Sequence, residues 1–274
     1  MISKLLCVTG ALSLSFSLHA QDKPGTNHRF VPTIKNIHHR LGDNHVTIQV
    51  LQYGKSREFV FVNLHDNEKT AVSSAKKVLE KRGGLLLKIS NNSKRDIGFK
   101  LSGKYYAFDP NRIFSPGGID KTLRQYGRHS RQAAREVKLF ADRLVNLIPD
   151  EMECLVALHN NSDEGFSVAD YLPGNEKAID AKESYIASGQ DKDYFLITTD
   201  SVLYRLLCSR NYNTVWQDNE CVTQDGSLSV YFGQQNRRYI NCETEHGKSA
   251  QYLEMMEIIF HCLGEAKQLS LSNQ

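Results

Sequence analysis

Two histidines and a glutamate stand directly after apolar runs of the sequence. His65 and Glu68 follow the run 58–64, and His159 follows the run 154–158. Two imidazole nitrogens and one carboxylate form a three-ligand zinc site with a coordination position left open for water. His65 and Glu68 are close enough in sequence to bind one ion from a single turn of chain, with His159 supplied by another strand.

Simpler roles stay open for these residues. An isolated H-x-x-E sequence is common and can belong to a surface helix cap. Glu68 and Asp66 stand where a helix is expected to begin, and the helix macrodipole favours a carboxylate there. A histidine, by contrast, has no packing reason to end a buried strand twice in one chain.

Two further segments add polar groups that can do chemistry. Glu243 and Glu245 follow a third apolar run, Tyr239–Cys242. Asn111 and Arg112 follow a strand-like segment, and an arginine beside an apolar pair can hold a substrate carboxylate through its planar fork. A structural salt bridge is the alternative role for this arginine.

The elements that must position these groups alternate between strand-like and helix-like patterns. Strands are expected at 46–51, 58–64, 85–89, 154–158, 196–199, 228–232 and 239–242, with a hairpin at 98–108. Helices are expected at 65–84, 131–148 and 249–269. This alternation predicts an α/β layered fold with a mixed, largely parallel twisted sheet flanked by helices. Ligands of such open sheets collect beyond the carboxyl ends of the strands, where the polar groups stand.

Length and composition are those of an ordinary globular protein. The chain has 274 residues, of which 40% are hydrophobic and 24% are charged. The 34 Lys and Arg residues against 31 Asp and Glu give a formal charge of +3, too even a balance to indicate nucleic acid or an anionic membrane as a partner.

The N-terminus predicts export. Lys4, the apolar run Leu5–Leu18 and Ala20 form a secretory signal peptide at 1–20, with no stable membrane insertion expected after its removal. A linker segment at 21–45 and a single domain at 46–274 would follow, in a periplasmic or secreted protein. Export permits disulfides, and Cys208 with Cys221 is the best candidate pair.

Three short motifs occur in a characteristic order. They are His65-Asp66-Asn67-Glu68, Asp109-Pro110-Asn111-Arg112-Ile113-Phe114 and Ala157-Leu158-His159-Asn160. The ordered set resembles the zinc carboxypeptidase superfamily, and its aspartoacylase and succinylglutamate desuccinylase branch most, where the motifs are like H-G-N-E, D-L-N-R-x-F and D-L-H-N. The resemblance runs from about residue 46 to 263. Asp66 in place of glycine and Pro110 in place of leucine indicate a distinct subfamily.

The resemblance implies a zinc carboxypeptidase-like fold and a role for each matching residue. His65, Glu68 and His159 would bind one zinc ion, and Asn111 with Arg112 would hold the substrate's carboxylate. The general base would be a glutamate at the end of a late strand. Glu243 is preferred, because it directly follows its strand and lies in phase with Asn241, and Glu245 is the alternative, because it more nearly matches the E-V-G form of the aspartoacylase branch. Arg95 would stabilise the oxyanion, with Lys104 as the alternative.

The predicted function is an exported zinc-dependent hydrolase of an amide bond near a terminal carboxylate. Its substrate would be a peptide, including cell-wall peptides, or an acyl amino acid with a free carboxylate. The alternatives are an N-acyl amino acid deacylase of aspartoacylase type and a non-catalytic module of the same fold that binds carboxylates or peptides.

Overall fold

A computed structural model describes residues 29–162 and 165–272. The proposed signal peptide at 1–20 lies outside the described residues. Eleven strands occur in the described part: β1 (Pro32–Leu41), β2 (Asn44–Tyr53), β3 (Phe59–Asn63), β4 (Gly84–Ser90), β5 (Ile97–Leu101), β6 (Lys104–Phe108), β7 (Cys154–Asn161), β8 (Ala181–Tyr185), β9 (Phe195–Thr198), β10 (Thr214–Gln217) and β11 (Tyr239–Glu245).

The described part of the chain also contains six α-helices, which connect and cover these strands. They are α1 (Lys69–Arg82), α2 (Pro116–Gln125), α3 (Arg131–Val145), α4 (Ser201–Ser209), α5 (Leu228–Gly233) and α6 (Ser249–Ser272). Two short 3-10 turns, Val168–Tyr171 and Ala178–Asp180, lie between β7 and β8. None of the helices described is both long and apolar enough to cross a bilayer.

Nine of the strands form one mixed sheet in the order β1-β2-β4-β3-β7-β11-β9-β10-β8, and β5 pairs with β6 separately. The four central strands β4, β3, β7 and β11 run parallel, and antiparallel partners flank them. The expected mixed, largely parallel sheet is therefore confirmed. Its central strands bring the segments after β3, in β7 and in β11 to one edge.

Hydrophobic cores on both faces of the sheet hold this edge in place. One core joins the sheet to α1, α4 and α6, and the other joins it to α2, α3, α5 and the β5–β6 hairpin. The near-continuous apolar sequences of β3 and β7 follow from this arrangement, since strands covered on both faces bury every side chain. The result is a three-layer fold with its carboxyl-terminal edge open.

Several sequence-based boundaries differ from the structure. Residues assigned to the linker segment 21–45 include β1, which pairs along its full length with β2. Leu228–Phe232, expected as a strand, begins the short helix α5. A five-residue apolar run fits either element, and here hydrogen bonds from Tyr231 N to Ser227 O and from Gln234 N to Val230 O complete a helical turn.

The expected pair of Cys208 and Cys221 is wrong, because both cysteines are free. Cys208 lies in the last turn of α4, and Cys221 lies beyond the far end of β10. The four residues of β10 carry the chain about 13 Å. A disulfide tolerates a Cα–Cα distance of only about 7 Å.

Candidate metal centre and active site

Three neighbouring elements bring His65, Glu68 and His159 together. His65 lies two residues beyond β3, and Glu68 is the residue before the first turn of α1. His159 is the sixth residue of β7, so it lies inside the strand and not after it. Because β3 and β7 are adjacent and parallel, the two histidines meet at the same edge of the sheet.

The ligand atoms of these residues converge on one point. Glu68 Oε1 lies 2.9 Å from His65 Nδ1 and 3.3 Å from His159 Nδ1. One ligand atom from each residue lies within 4.8 Å of the others, and all three side chains are buried. Two imidazoles and one carboxylate in this arrangement form a group that can hold a metal ion, and the donor set is one that zinc accepts.

Outer contacts fix the orientation of each possible ligand. His65 Nε2 lies 2.8 Å from Asp109 Oδ1, and Asn63 Nδ2 donates to Glu68 Oε2 at 3.1 Å. The Tyr252 hydroxyl of α6 lies 3.0 Å from both the backbone N and the carbonyl O of His159. Partners of this kind orient the ligands of metal sites in proteins.

The electrostatics of the cluster favour ionised carboxylates and a protonated imidazole. Burial disfavours the charged form of His65, but Glu68 and Asp109 outweigh it and raise the pKa of His65 to about 9. Burial likewise opposes ionisation of Glu68, yet His159 and His65 lower the pKa of that carboxyl to about 2. Without a metal ion, a proton on His65 thus supplies the positive charge between the carboxylates.

The simpler roles considered for Glu68 and Asp66 differ from what their side chains do. The Glu68 side chain makes no capping hydrogen bond to α1. The Asp66 carboxylate accepts hydrogen bonds from the backbone amides of Asn91 and Ser93, which lie outside α1. Both carboxylates are thus committed to tertiary contacts.

A cavity of about 480 Å³ opens beside the cluster. Seven of the residues singled out from the sequence line it: His65, Glu68, Arg95, Asn111, Arg112, His159 and Glu243. The polar stretch between β7 and β8 forms part of the wall through Phe166, Tyr171 and Asp180. Candidate metal ligands, cations and a carboxylate therefore face one space with room for a small molecule.

Glu243 and Glu245 occupy different surroundings although both belong to β11. Glu243 pairs in register with His159, lines the cavity and accepts a hydrogen bond from Asn241 Nδ2 at 2.9 Å. Burial raises the pKa of Glu243 above its ordinary value. Glu245 does not line the cavity, and its carboxylate lies 3.7 Å from Lys248 Nζ.

Arg95 and Lys104, the two candidates for stabilising the oxyanion, differ in their distance from the cluster. Arg95, between β4 and β5, lies with NH1 at 3.3 Å from Glu68 Oε1 and NH2 at 3.6 Å from Asp109 Oδ2. Lys104 is exposed at the start of β6 and does not line the cavity. The guanidinium of Arg95 is thus next to the cluster, and the Lys104 ammonium is not.

Asn111 and Arg112 also line the cavity. The Asn111 side-chain oxygen accepts a hydrogen bond from Leu228 N at 3.0 Å, which leaves the amide nitrogen Nδ2 to offer to a ligand. Arg112 NH1 donates to Asn111 O at 2.7 Å and lies 3.6 Å from Asp225 Oδ2. A substrate carboxylate that binds Arg112 must therefore compete with Asp225.

The site contains residues that the sequence reading did not assign. Asp109 begins the second motif, and its contact with His65 emerges only in the structure. Tyr171 and Asp225 come from polar stretches without a recognisable motif. An aspartate two residues before Asn-Arg was a usable signal for Asp109, whereas no local pattern indicated Tyr171.

No model of a protein family matches the chain, and no curated protein matches it. Similar solved structures include an aspartoacylase family protein from Mesorhizobium loti, with 15% identity and a TM-score of 0.45, over 89% of this chain and 68% of that one. A metallo-carboxypeptidase from Burkholderia cenocepacia is similar with 7% identity and a TM-score of 0.45, over 87% of this chain and 65% of that one.

The chain spans about two thirds of the length of each of these two proteins. At such identities the likeness concerns the fold alone. We therefore infer the function from the side chains of this chain.

Proposed function

We propose that the protein is a zinc-dependent hydrolase of an amide bond that lies close to a terminal carboxylate. The observation that carries this is the convergence of His65 Nδ1, Glu68 Oε1 and His159 Nδ1 beside a cavity. Zinc bound by these atoms would supply a Lewis acid that polarises a carbonyl group and makes water more acidic.

Glu243 is the residue we propose as the general base. Hydrolysis breaks the amide C–N bond, forms a C–O bond to the water oxygen and moves a water proton to the leaving nitrogen. Glu243 faces the cavity next to His159, and its raised pKa suits a group that accepts a proton and then returns it. Glu245, paired with Lys248 outside the cavity wall, lacks this position.

The cations of the cavity would orient the substrate. Arg112 and Asn111 Nδ2 can bind a terminal carboxylate, which fixes the distance between the substrate's end and the scissile bond. Arg95 lies beside Glu68 and can offer N–H donors to the oxygen on which negative charge develops. The substrate class is therefore a peptide or acyl amino acid with a free carboxylate.

The first test measures bound zinc in the purified chain and in His65→Ala and His159→Ala. We expect about one zinc per chain in the parent and a large loss in both variants. His261→Ala, which removes an exposed histidine of α6, is the control and should keep its zinc. Full zinc occupancy in both site variants would overturn the assignment.

A second measurement separates the enzyme from a binding module and identifies the substrate class. Peptides with free or amidated carboxyl ends and N-acyl amino acids are incubated with the chain, with and without a chelator. Release of amine that requires the free carboxylate and stops with chelator supports hydrolysis. Binding of the same compounds without any release would favour the non-catalytic alternative, and cleavage of acyl amino acids alone would favour the deacylase.

Export is also proposed, from the pattern of residues 1–20. Cell fractionation of the full chain and of a chain lacking those residues tests it. We expect only the full chain to reach the periplasm or medium, shortened by about 20 residues. A full-length protein retained in the cytoplasm would contradict export, and with it the cell-wall peptides as natural substrates.

A further inference from the structure

The Asp66 carboxylate makes one contact with β4 itself and two with the segment that directly follows this strand. Its Oδ2 accepts hydrogen bonds from Asn91 N and from Ser93 N, both at 2.8 Å. Its Oδ1 lies 3.1 Å from Lys88 Nζ. The side chain is only 11% exposed, so water competes weakly for these contacts.

The anchored segment adopts an unfavourable backbone conformation. Asn92 and Ser93 both have positive φ, +52° and +58°, although neither is glycine. Left-handed conformations of this kind are unfavourable for residues that carry a side chain. The two hydrogen bonds to Asp66 offset part of this cost, because each satisfies a backbone donor on either side of Asn92.

Arg95 is carried by the same turn, two residues after Ser93. Its guanidinium reaches back over the cluster to contact Glu68 and Asp109. The side chain is 47% exposed, so packing alone restrains it little. The position of its backbone therefore decides whether the guanidinium reaches the cavity.

We propose that Asp66 is a positioning residue, which fixes the turn 91–93 so that Arg95 stays over the metal ligands. Its contribution to catalysis rests on the function proposed above, whereas its anchoring of the turn does not. Asp66 stands between His65 and Glu68 in sequence, yet its carboxylate is turned away from them towards the turn. The segment that binds metal thus also sets the place of the neighbouring cation.

The test compares Asp66→Ala, Arg95→Met and the double variant. Lys88→Met is the matched control, because it removes the ion pair but keeps the hydrogen bonds from the backbone amides of Asn91 and Ser93 to Asp66. Asp66→Asn keeps an acceptor oxygen for the two amides and is the rescue variant. Amide hydrogen exchange at Asn91 and Ser93 and the NMR signal of the Arg95 Nε–H group are read first, in the metal-free chain. Zinc affinity and the hydrolysis kinetics of each variant are measured next.

We expect Asp66→Ala to speed exchange at both amides at least tenfold and to move the Arg95 signal towards that of a free side chain. In Lys88→Met and Asp66→Asn both readouts should stay near those of the parent. Slow exchange or an unmoved Arg95 signal in Asp66→Ala would overturn the anchoring. These readouts need neither zinc nor substrate, so they stand apart from any failure of the proposed hydrolysis.

The kinetic outcome distinguishes positioning from a general loss of structure. Asp66→Ala should lower kcat about ten- to a hundredfold with zinc affinity little changed, and Asp66→Asn should restore most of it. In the Arg95→Met background, Asp66→Ala should cause almost no further loss, because its effect acts through Arg95. Additive losses, or loss of zinc in Asp66→Ala, would show that Asp66 supports the site independently of Arg95.

Discussion

His65 has a carboxylate on each ring nitrogen, and this governs how the site responds to pH. Glu68 lies on Nδ1 and Asp109 on Nε2, which holds a proton on the metal-free imidazole up to about pH 9. A metal ligand must release the proton from its bonding nitrogen. Zinc and a proton therefore compete for Nδ1, while Asp109 can keep the hydrogen bond to Nε2.

We expect zinc binding at about pH 7 to release close to one proton from the histidine cluster. Calorimetric titrations in buffers of different ionisation enthalpy measure that number. Because the pKa of His65 in the metal-free chain is about 9, release should vanish above that pH and apparent affinity should weaken below it. Asp109→Asn should lower the pKa of His65, because it removes a carboxylate that raises it, so zinc binding to this variant should release fewer protons. Equal release in parent and variant would contradict the role given to Asp109.

The raised pKa of His65 makes the stability of the metal-free chain depend on pH in the opposite direction to its zinc affinity. In the unfolded chain the pKa of His65 is about 6.5. Protonation of His65 therefore stabilises the folded state fully below about pH 6.5, and this contribution is lost as the pH rises through about 9. Glu68, with its pKa lowered to about 2, contributes above the unfolded value and loses its contribution as pH falls towards 2. The metal-free chain should thus lose stability between neutral and alkaline pH, while zinc affinity increases.

Glu243 and Glu245 provide a matched pair for testing the base. We expect Glu243→Gln to lower kcat by about a hundredfold or more with little change in zinc affinity, because it removes the acceptor of the water proton. Glu245→Gln, on the same strand but paired with Lys248, should change kcat less than about threefold. Initial rates and zinc content of both variants decide, and a larger loss in Glu245→Gln would reverse the assignment.

Residue types at strand ends were enough to predict this centre, because a metal site needs few donors and a parallel sheet brings its strand ends together. His65, Glu68 and His159 could be found in that way. The contact of Asp109 with His65 and the place of Tyr171 in the cavity wall could not be predicted, since both depend on how the segments after β6 and β7 fold back over the sheet. The sequence favoured Glu243 over Glu245 by its place directly after the predicted strand. The different surroundings of the two side chains could not be predicted, because alternate residues of one strand share a face.

At the scale of elements, a close backbone contact places the segment that carries Asn111 and Arg112. Gly118 in the first turn of α2 packs against Gly226, just before α5. A Cβ atom on Gly118 would lie 2.5 Å from Gly226 Cα and 2.6 Å from Arg112 O. Gly226 also has a φ of +79°, which a residue with a side chain rarely adopts. The contact therefore fixes α2 and α5 around the backbone of Arg112.

Gly118→Ala should separate these elements and weaken the carboxylate clamp. We expect a loss of about 1–3 kcal/mol in the free energy of unfolding and a raised KM for substrates with a free carboxylate. Gly117→Ala is the control, because its Cβ would meet nothing within 4 Å. It should stabilise the chain by about 0.5–1 kcal/mol at an unchanged KM. Denaturant unfolding and steady-state rates measure the stability and KM of both variants. Equal effects of the two changes would contradict the role given to the contact between Gly118 and Gly226.

Elements with a clear local burial pattern could be predicted from the sequence, and elements that depend on their tertiary partners could not. The apolar stripe of α3 and the buried runs of β3 and β7 are decided by local burial patterns. β10 has only four residues and is defined by its partners β9 and β8, so no local signal marks it. α5 is set by its contacts with the 109–114 segment, including Leu228 N to Asn111 Oδ1, and its alternating apolar residues imitate a strand.

At the scale of the whole molecule, the candidate metal centre connects the two strands that run through the middle of the sheet. His65 and Glu68 belong to the segment between β3 and α1, and His159 belongs to β7, about ninety residues later. Unfolding separates these donors. A metal ion that binds all three therefore binds the folded chain in preference to the unfolded one, and its binding free energy adds to the stability of the fold.

We expect zinc to raise the thermal midpoint of the whole chain in a single cooperative transition. At a free zinc concentration about a hundred times Kd, the added stability is about 2.7 kcal/mol, or roughly 5–10 °C for a chain of this size. Calorimetry with and without zinc measures it. His159→Ala should abolish the increase, because the remaining donors come from one short segment, while His261→Ala should keep it. An unshifted midpoint in the parent, or equal shifts in the parent and in His159→Ala, would mean that zinc does not join the segment after β3 to β7. Only an ion bound to residues of both segments must be released when these two strands separate on unfolding.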